Sequence, residues 1–342
     1  MNEVIQRVAT ERAVAPCMAC RGSDGQVYAA AEMMFGLNER FHYFECGLCG
    51  CLQLLDPPSD LARFYPQEYY SFSQGEPLPD ASRRRSQRER LSSWRNESQL
   101  MRTGSFGRIA ARIRPRPDIE RLRPLFAPTP IRSFNARILD VGCGDGTLLA
   151  DLWRVGFREL VGIDPFLAKD LSDTPSLRIL AAHLAALRDE RFDLIMFHHS
   201  LEHMSDHRGI LALVAEMLRP NGICLIRMPV ASSEPWSRYR EHWVELDAPR
   251  HRALHTTASL DLMLKDVGLE RFYTEFDSTG FAYWGSELYL RGVSLVDPGG
   301  KRIRDPNSLF CTSELEGFER QAKRANEIAC GGRAAFYIRE AR

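Results

Sequence analysis

The stretch Arg137-Ile-Leu-Asp-Val-Gly-Cys-Gly-Asp-Gly-Thr-Leu-Leu-Ala-Asp151 decides the fold. The apolar residues Ile138, Leu139 and Val141 predict a short buried strand, and Thr147 starts a helix. The three glycines between them allow a turn in which backbone N–H groups and the helix N-terminus approach a ligand closely. The spacing Gly-x-Gly-x-Gly departs from the dinucleotide fingerprint Gly-x-Gly-x-x-Gly. This stretch therefore predicts a nucleoside-binding turn.

A second predicted strand also ends in an acidic residue. It reads Glu159-Leu-Val-Gly-Ile-Asp164, which places Asp164 about 20 residues after Gly142. In a doubly wound sheet, an acid at that distance accepts hydrogen bonds from ribose hydroxyls. A third strand is predicted at 178–182. This alternation of strands and helices predicts an α/β fold with a parallel sheet.

Four ionisable residues follow the fourth predicted strand, which runs from 192 to 197: His198, His199, Glu202 and His203. Ligands of such sheets bind at the carboxyl ends of the strands. Taken alone, His199-x-x-Glu202-His203 matches an inverted zinc-protease motif. That motif lies within a helix and needs a downstream acidic ligand, whereas here the first histidine directly follows a buried strand. We therefore reject the protease interpretation.

Four blocks in this order resemble class I S-adenosylmethionine-dependent methyltransferases. Asp-x-Gly-x-Gly-x-Gly at 140–146 resembles motif I, and Asp164 is the expected acid. Phe-Asp-x-Ile…His-x-Leu-Glu-His at 192–203 resembles the branch that includes quinone and sugar methyltransferases, and Leu-Arg-Pro-Asn-Gly-Ile at 218–223 resembles motif III. The resemblance covers roughly residues 136–342. It implies a Rossmann-like seven-stranded sheet and S-adenosylmethionine as the cofactor.

The resemblance also implies a set of cofactor-binding residues. Gly142 and Gly144 are expected to line the methionine portion of the cofactor, with Asp140 near its amino group. Where the family often has an acid near the adenine, this chain has Ala-His-Leu at 182–184. The full predicted set is Asp140, Gly142, Gly144, Asp145, Asp164, His183, Leu184 and His198.

Methyl transfer from a sulfonium is an in-line displacement, and a hydroxyl acceptor must also lose a proton. Histidine suits that role because its ordinary pKa is near neutrality. His199 and His203 are the candidate bases, and Glu202 is placed to orient an imidazole or to contact the cofactor. The alternative for each is a supporting structural side chain or a helix cap.

The polar and aromatic segment 236–257 resembles the acceptor-side loop of the family. His251 is its first candidate for acceptor contact, followed by Arg250 and His255. The alternative is a lid held by its own hydrogen bonds. An aromatic insertion at about 280–310 is expected either to wall the acceptor pocket or to form a dimer face. A homodimer is therefore one expectation.

Two C-x-x-C units, Cys17-Met-Ala-Cys20 and Cys46-Gly-Leu-Cys49, lie near the start of the chain. Cys17, Cys20, Cys46 and Cys49 at this spacing predict a structural, tetrahedral Zn²⁺ site in a zinc-ribbon-like module. The alternative is a set of buried free thiols, and Cys51 is expected to be a bystander. Nine cysteines used in this way favour a reducing cytosol over a disulfide framework.

Three regions are predicted: the zinc-ribbon-like module at 1–60, an aromatic and then Arg/Pro-rich helical linker at 61–130, and the methyltransferase domain at 131–342. The aromatic segment 64–72 is expected to pack between domains in preference to lining a cleft. Residues 81–124 contain 13 arginines and 4 acidic residues. The linker is interpreted as a solvated helix, or else as a basic face for a phosphorylated acceptor or an anionic membrane surface.

The whole chain has no net charge, so nothing global suggests nucleic acid, and no export signal or membrane span is indicated. The leading prediction is a cytoplasmic enzyme that methylates a small molecule, preferably at a hydroxyl of a sugar or nucleotide-linked sugar. A sugar-linked or phosphorylated acceptor is therefore expected. The alternatives are an aromatic or quinone-like acceptor and, from another class, an RNA-binding protein or RNA methyltransferase.

Overall fold

The computed structural model describes residues 16–65, 78–80, 87–102, 109, 112, 113, 116–297 and 303–341. Its strands are β1 (Gly25–Ala31), β2 (Arg40–Cys46), β3 (Leu52–Leu54), β4 (Arg137–Val141), β5 (Glu159–Ile163), β6 (Ser172–Thr174), β7 (Leu177–Leu180), β8 (Phe192–His198), β9 (Leu218–Pro229), β10 (Ala253–Leu254), β11 (Leu269–Phe276) and β12 (Arg333–Glu340). Its α-helices are α1 (Gln87–Met101), α2 (Pro117–Glu120), α3 (Arg123–Phe126), α4 (Thr147–Val155), α5 (His207–Met217), α6 (Glu234–Tyr239), α7 (Thr257–Asp266), α8 (Phe281–Leu290) and α9 (Thr312–Glu327).

The main sheet has the strand order β11-β12-β9-β8-β4-β5-β7-β6. Strands β4, β5, β7, β8 and β9 are parallel, and β12 runs antiparallel between β9 and β11. This confirms the predicted class I methyltransferase sheet. The polar edge strand β6, antiparallel to β7, adds an eighth strand that the sequence analysis did not predict. Leu194 to Phe197 in β8 are fully buried, as expected for a central parallel strand covered on both faces.

Helix α5 and strand β9 begin earlier than predicted. The apolar segment Ile210 to Leu218 predicts a helix, but the helix begins at His207, because the Asp206 carboxylate caps it by accepting from the Gly209 N–H at 2.9 Å. The sequence Arg219-Pro-Asn-Gly222 predicts a turn before a fifth strand at 223–229. It lies instead within β9, where the register against β8 shifts and Asn221 adopts a φ of 64°. The turn prediction was therefore wrong in placing the strand start at 223.

A smaller sheet in the order β1-β2-β3-β10 carries the amino-terminal cysteines. Three of its strands come from residues 25–54, and the fourth is the two-residue strand β10 from the acceptor-side segment. Ala253 pairs with Gln53, and Leu254 pairs with Leu52. The amino-terminal module is thus joined to the methyltransferase segment by backbone hydrogen bonds. The domain boundaries at 60 and 130 stay predictions.

The predicted aromatic insertion at 280–310 is built around helix α8. Tyr283 and Tyr289 on this helix are buried within the chain. The segment after the helix continues the contact with the amino-terminal module, because the N–H groups of Leu295 and Val296 donate to the carbonyls of Met33 and Met34 at 3.0 and 2.8 Å. The described part of the insertion therefore holds the module against the main domain.

The linker is only partly described. Helix α1 lies within the predicted helical linker, where Leu100 and Met101 are buried and Leu91 and Trp94 are exposed. Most of the aromatic segment 64–72 and much of the arginine-rich stretch lie outside the described residues. No helix among the described residues is long and apolar enough to span a membrane.

Candidate active site

The glycine turn after β4 has the backbone that its sequence requires. Gly142, Gly144 and Gly146 have φ values of 78°, 54° and 80°, in the left-handed region that favours glycine. A Cβ on Gly142 would also lie 2.5 Å from the Cβ of Ser200. The Ser200 hydroxyl donates to the Val141 carbonyl at 2.6 Å. The turn is therefore packed directly against the segment that follows β8.

Two carboxylates lie at this turn. Asp140 is 3% exposed, and its Oδ1 has no hydrogen-bond partner among the described residues. Burial, together with the nearby Asp164 charge, raises the pKa of Asp140 to about 7. Asp164 accepts from the Gly144 N–H at 3.1 Å and from the Phe166 N–H at 2.9 Å. An unpartnered buried carboxylate beside a glycine turn is suited to binding an ammonium group.

The other predicted cofactor residues differ in how they are placed. Asp145 accepts from the Thr147 backbone N–H at 3.0 Å, so it helps to start α4. His183 is exposed and precedes a short 3₁₀ helix, whereas Leu184 is buried. Both lie after β7, at the same edge of the sheet as Asp164.

Phe166 also lies at this edge, although it was not among the predicted site residues. This residue lies two positions after Asp164, and its ring is 71% exposed. It stacks on Tyr65 with a centroid distance of 6.2 Å and an interplanar angle of 22°. An exposed aromatic ring beside the predicted ribose-binding acid offers a stacking surface for a base. The Asp-Pro-Phe sequence at 164–166 was the available signal.

His198 ends β8 and His199 follows it, and the two side chains have different environments. The Nε2 atom of His198 is buried without a hydrogen-bond partner among the described residues, and burial lowers the pKa of this histidine to about 3. His199 adopts a φ of 53°, and its N–H donates to the Arg227 carbonyl at 2.9 Å. Its side chain remains 36% exposed, with Nδ1 3.4 Å from Glu202 Oε1. His199 is therefore the more accessible of the two rings.

Glu202 lies at the centre of the cluster. It is 0% exposed, and neither carboxylate oxygen accepts a hydrogen bond from the described residues. Burial by itself raises the pKa of Glu202, but His199, His203 and His251 outweigh it and hold the pKa at about 2. Glu202 is thus a buried carboxylate surrounded by three imidazoles.

His203 and His251 come together from distant segments. Their ring centroids are 4.7 Å apart. His203 Nδ1 lies 3.1 Å from both the Arg250 carbonyl and the Tyr65 hydroxyl, and His251 Nδ1 lies 2.9 Å from the Glu245 carbonyl. Burial, followed by the His203 charge, lowers the pKa of His251 to about 4. The acceptor-side loop therefore does reach the end of β8, and Tyr65 joins it there.

The amino-terminal module braces this loop. The Tyr43 hydroxyl on β2 donates to the His251 carbonyl at 2.8 Å. The fully buried Arg250 guanidinium donates to Glu32 at 2.9 Å and to Asp247 at 2.6 Å. Arg250, expected among the acceptor contacts, is therefore an ion-pair anchor of the loop.

His255 was the other candidate of the acceptor-side loop, and it is also internal. It is 0% exposed, and its Nε2 lies 2.8 Å from His207 Nδ1. Its Nδ1 contacts Ser259 Oγ at 3.1 Å. Both ring nitrogens are thus engaged inside the chain, and the structure does not bring His255 to the cluster around Glu202.

The four predicted zinc ligands are gathered in one place. The Sγ atoms of Cys17, Cys20, Cys46 and Cys49 lie within 4.8 Å of one another. Cys17 is 3.5 Å from Cys49, and Cys20 is 3.4 Å from Cys46. A tetrahedral Zn²⁺ with Zn–S bonds of about 2.3 Å holds its sulfurs about 3.8 Å apart. The Gly22 N–H also donates to Cys20 Sγ at 3.4 Å. The donor set therefore fits a structural zinc ion.

Comparison with known proteins agrees with this architecture. Residues 108–274 match the family model described as "Methyltransferase domain". Over 168 residues the chain is 34% identical to a ubiquinone biosynthesis O-methyltransferase of Azorhizobium caulinodans, which covers 45% of this chain and 63% of that protein. A protein of the same description from Cereibacter sphaeroides is 31% identical over 112 residues, covering 30% of this chain and 44% of its own length.

Among solved structures, a putative sarcosine dimethylglycine methyltransferase from Galdieria sulphuraria is similar. It has 18% identity and a TM-score of 0.41, and the likeness covers 66% of this chain and 85% of that one. A similarity at this level carries no information on function.

The family match over residues 108–274 and the strand order define a class I S-adenosylmethionine-dependent methyltransferase domain, which confirms the resemblance seen in the sequence. The chain spans less than two thirds of the length of the curated relatives described above.

Proposed function

We propose that this protein transfers a methyl group from S-adenosylmethionine to a hydroxyl of a small-molecule acceptor. The observation that carries the proposal is the contact between two groups of residues. The glycine turn with the unpartnered Asp140 packs, through Gly142 and Ser200, against the segment that holds His199 and Glu202. A methyl donor at the turn would therefore lie beside a candidate base.

The donor would be held by its charged and polar ends. Asp140 would bind the ammonium of the methionine portion, and Asp164 would exchange its Gly144 contact for the ribose hydroxyls. The exposed ring of Phe166 would stack on the adenine, and His183, Leu184 and His198 lie along the same edge. The bound cofactor supplies the electrophilic methyl group.

His199 is the base that the geometry favours. Its Nδ1 faces Glu202, and the remaining ring nitrogen makes no hydrogen bond to a described residue. A carboxylate that orients an imidazole and stabilises its protonated form is an established way to assist proton removal. His199 would take the hydroxyl proton as the oxygen attacks the methyl carbon and the carbon–sulfur bond breaks.

Two acceptor classes remain within the proposal. A sugar or nucleotide-linked sugar was the leading prediction from the sequence. The names of the similar O-methyltransferases favour an aromatic or quinone-like acceptor. We also propose that Cys17, Cys20, Cys46 and Cys49 hold structural Zn²⁺, which would stabilise the module that braces the acceptor-side loop.

Calorimetry with S-adenosylmethionine and its demethylated product tests the cofactor half. We expect both to bind, and we expect Gly142→Ala to weaken binding at least tenfold, because the new Cβ would clash with Ser200. Gly292→Ala is the matched control, since Gly292 also has a positive φ but open space around it. Absence of binding to the unmodified protein would refute the proposal.

A screen of acceptors with isotope-labelled methyl donor then compares sugars, nucleotide-linked sugars and phenols. Label in a sugar hydroxyl or in a phenol would assign the acceptor class. His199→Gln should reduce turnover at least a hundredfold without changing donor affinity. Turnover equal to that of the unmodified protein would remove His199 as the base.

A further inference from the structure

Three side chains at the acceptor end of the site have the arrangement of a metal centre. Glu202, His203 and His251 each offer a ligand atom, and these atoms all lie within 4.8 Å of one another. They come from the short turn after β8 and from the acceptor-side loop. They are separate from the four cysteines, and the described residues contain no other such group.

The first independent observation is the state of Glu202. Its side chain is 0% exposed, and both carboxylate oxygens lack a hydrogen-bond partner among the described residues. A fully buried carboxylate is costly to leave without a partner, and such groups are normally paired, hydrogen-bonded or coordinated to a metal. His199 Nδ1, at 3.4 Å, approaches only one of the two oxygens. A cation between Glu202 and the two other histidines would satisfy the group.

The second observation is the orientation of the two imidazoles. His203 Nδ1 lies 3.1 Å from the Arg250 carbonyl, and His251 Nδ1 lies 2.9 Å from the Glu245 carbonyl. A carbonyl only accepts, so a neutral imidazole in either position carries its proton on Nδ1 and presents a lone pair at Nε2. The Tyr65 hydroxyl, also 3.1 Å from His203 Nδ1, then serves as a second acceptor of that proton. Metal-binding histidines are held in this way by backbone carbonyls. His251 Nε2 is 4.0 Å from Asp247 Oδ2, beyond hydrogen-bond distance.

We propose that Glu202, His203 and His251 bind a divalent transition-metal ion such as Zn²⁺, Mn²⁺ or Fe²⁺. Two imidazoles and one carboxylate suit these ions better than Mg²⁺ or Ca²⁺, which prefer oxygen ligands. Three protein ligands leave coordination positions open, as in a catalytic centre. The donor set thus assigns a second metal site, distinct in chemistry from the cysteine site.

This inference deepens the proposed function and rests on it for the role of the ion. A divalent ion beside an acceptor hydroxyl makes that hydroxyl easier to deprotonate. The proton passes to His199, the hydroxyl oxygen bonds to the methyl carbon, and the electron pair of the broken carbon–sulfur bond stays on sulfur. No electron is gained or lost by the ion. His203 is then a ligand, which leaves His199 as the base.

Cobalt binding tests the site without relying on activity. Protein with zinc in the cysteine site is titrated with Co²⁺ and followed by absorption and calorimetry. We expect one equivalent to bind with weak ligand-field bands and no sulfur-to-metal charge-transfer band. Glu202→Gln and, independently, His251→Gln should weaken Co²⁺ binding at least tenfold. His42→Gln is the matched control, because His42, on β2, pairs with Asp56 and is partly exposed.

Donor affinity and thermal unfolding show whether each variant is folded. If Glu202→Gln or His251→Gln does not fold, the Co²⁺ affinity of His203→Gln is measured in its place. Failure of the unmodified protein to bind Co²⁺, Zn²⁺ or Mn²⁺ beyond the cysteine site would overturn the proposal. So would folded Glu202→Gln and His251→Gln variants that keep full Co²⁺ affinity. Co²⁺ binding without any S-adenosylmethionine binding would support the metal site and refute the proposed function instead.

Discussion

In the proposed site, the contacts that build the cofactor side span short stretches of sequence, whereas those that build the acceptor side span long ones. On the cofactor side, Asp140, the glycine turn and Asp164 belong to one strand–turn–helix–strand unit, and Asp164 contacts Gly144 across 20 residues. On the acceptor side, Tyr65 meets His203 across 138 residues, and Tyr43 meets His251 across 208. The first arrangement is local, whereas the second exists only when the whole protein has folded.

The two sides of the site therefore depend on different parts of the chain for their structure. The cofactor side is built mainly from its own backbone and the segment that follows β8, and Phe166, which belongs to this side, contacts Tyr65. The acceptor side needs the amino-terminal sheet, which supplies Tyr43, Glu32 and the strand that pairs with β10. Damage to the amino-terminal module should therefore remove turnover before it removes donor binding.

The largest effect is expected from Cys46→Ser. Removing one thiolate should abolish zinc binding, and a structural zinc contributes folding free energy directly, so the module should lose its structure. Turnover should then be lost, while S-adenosylmethionine affinity changes by less than about threefold. Cys311→Ser is the control, because that thiol is exposed and lies outside the cysteine site. An equal loss of turnover and of S-adenosylmethionine affinity would show that the cofactor side also depends on the amino-terminal module.

A smaller effect, confined to the cofactor side, is expected at Asp140. With its pKa raised to about 7, donor affinity should be full above pH 7 and fall as the pH falls through 7, because only the carboxylate binds the ammonium. Asp140→Asn should remove this dependence and weaken donor binding by about tenfold to a hundredfold. Calorimetry between pH 6 and pH 8 measures both.

Asp140→Asn should also stabilise the protein when S-adenosylmethionine is absent. The folded-state pKa of Asp140 is above its ordinary value of 3.8, so its stabilising contribution is present below that value and is lost as the pH rises through 7. At pH 8 the buried charge costs stability that Asn does not. A lower melting temperature of Asp140→Asn at pH 8 would contradict the burial argument.

The smallest effect is expected from Tyr43→Phe. The substitution leaves the buried His251 carbonyl without its donor and should cost about 1–2 kcal/mol of stability. It should raise the KM for the acceptor and leave donor affinity unchanged. Tyr273→Phe, at a more exposed tyrosine on β11, should do neither. A change in donor affinity alone would show that the two sides are not separable in this way.

The same contrast explains what could be predicted from the sequence. The turn at 140–146, Asp164 and the residues after β8 were predictable, because contiguous strand–turn patterns place side chains at one edge of a parallel sheet. Other contacts follow only from tertiary packing, and no sequence periodicity indicates them. Examples are the contact of Tyr65 with His203 and the burial of Arg250 against Glu32. Strand β6 was missed because Ser172-Asp-Thr174 is short and polar, and the start of β9 was misplaced because a bulge there looks like a turn.

The pairing of β10 with β3 has a consequence for the order in which the protein can be made. During synthesis, residues 253 and 254 leave the ribosome about 200 residues after Leu54. At about 5–20 residues per second, β3 therefore waits roughly 10–40 s for its partner. Throughout that interval one strand edge of the amino-terminal sheet stays open to other chains. Nascent molecules on a crowded polysome would be sensitive to chaperones and to translation speed at that stage, before any enzyme exists.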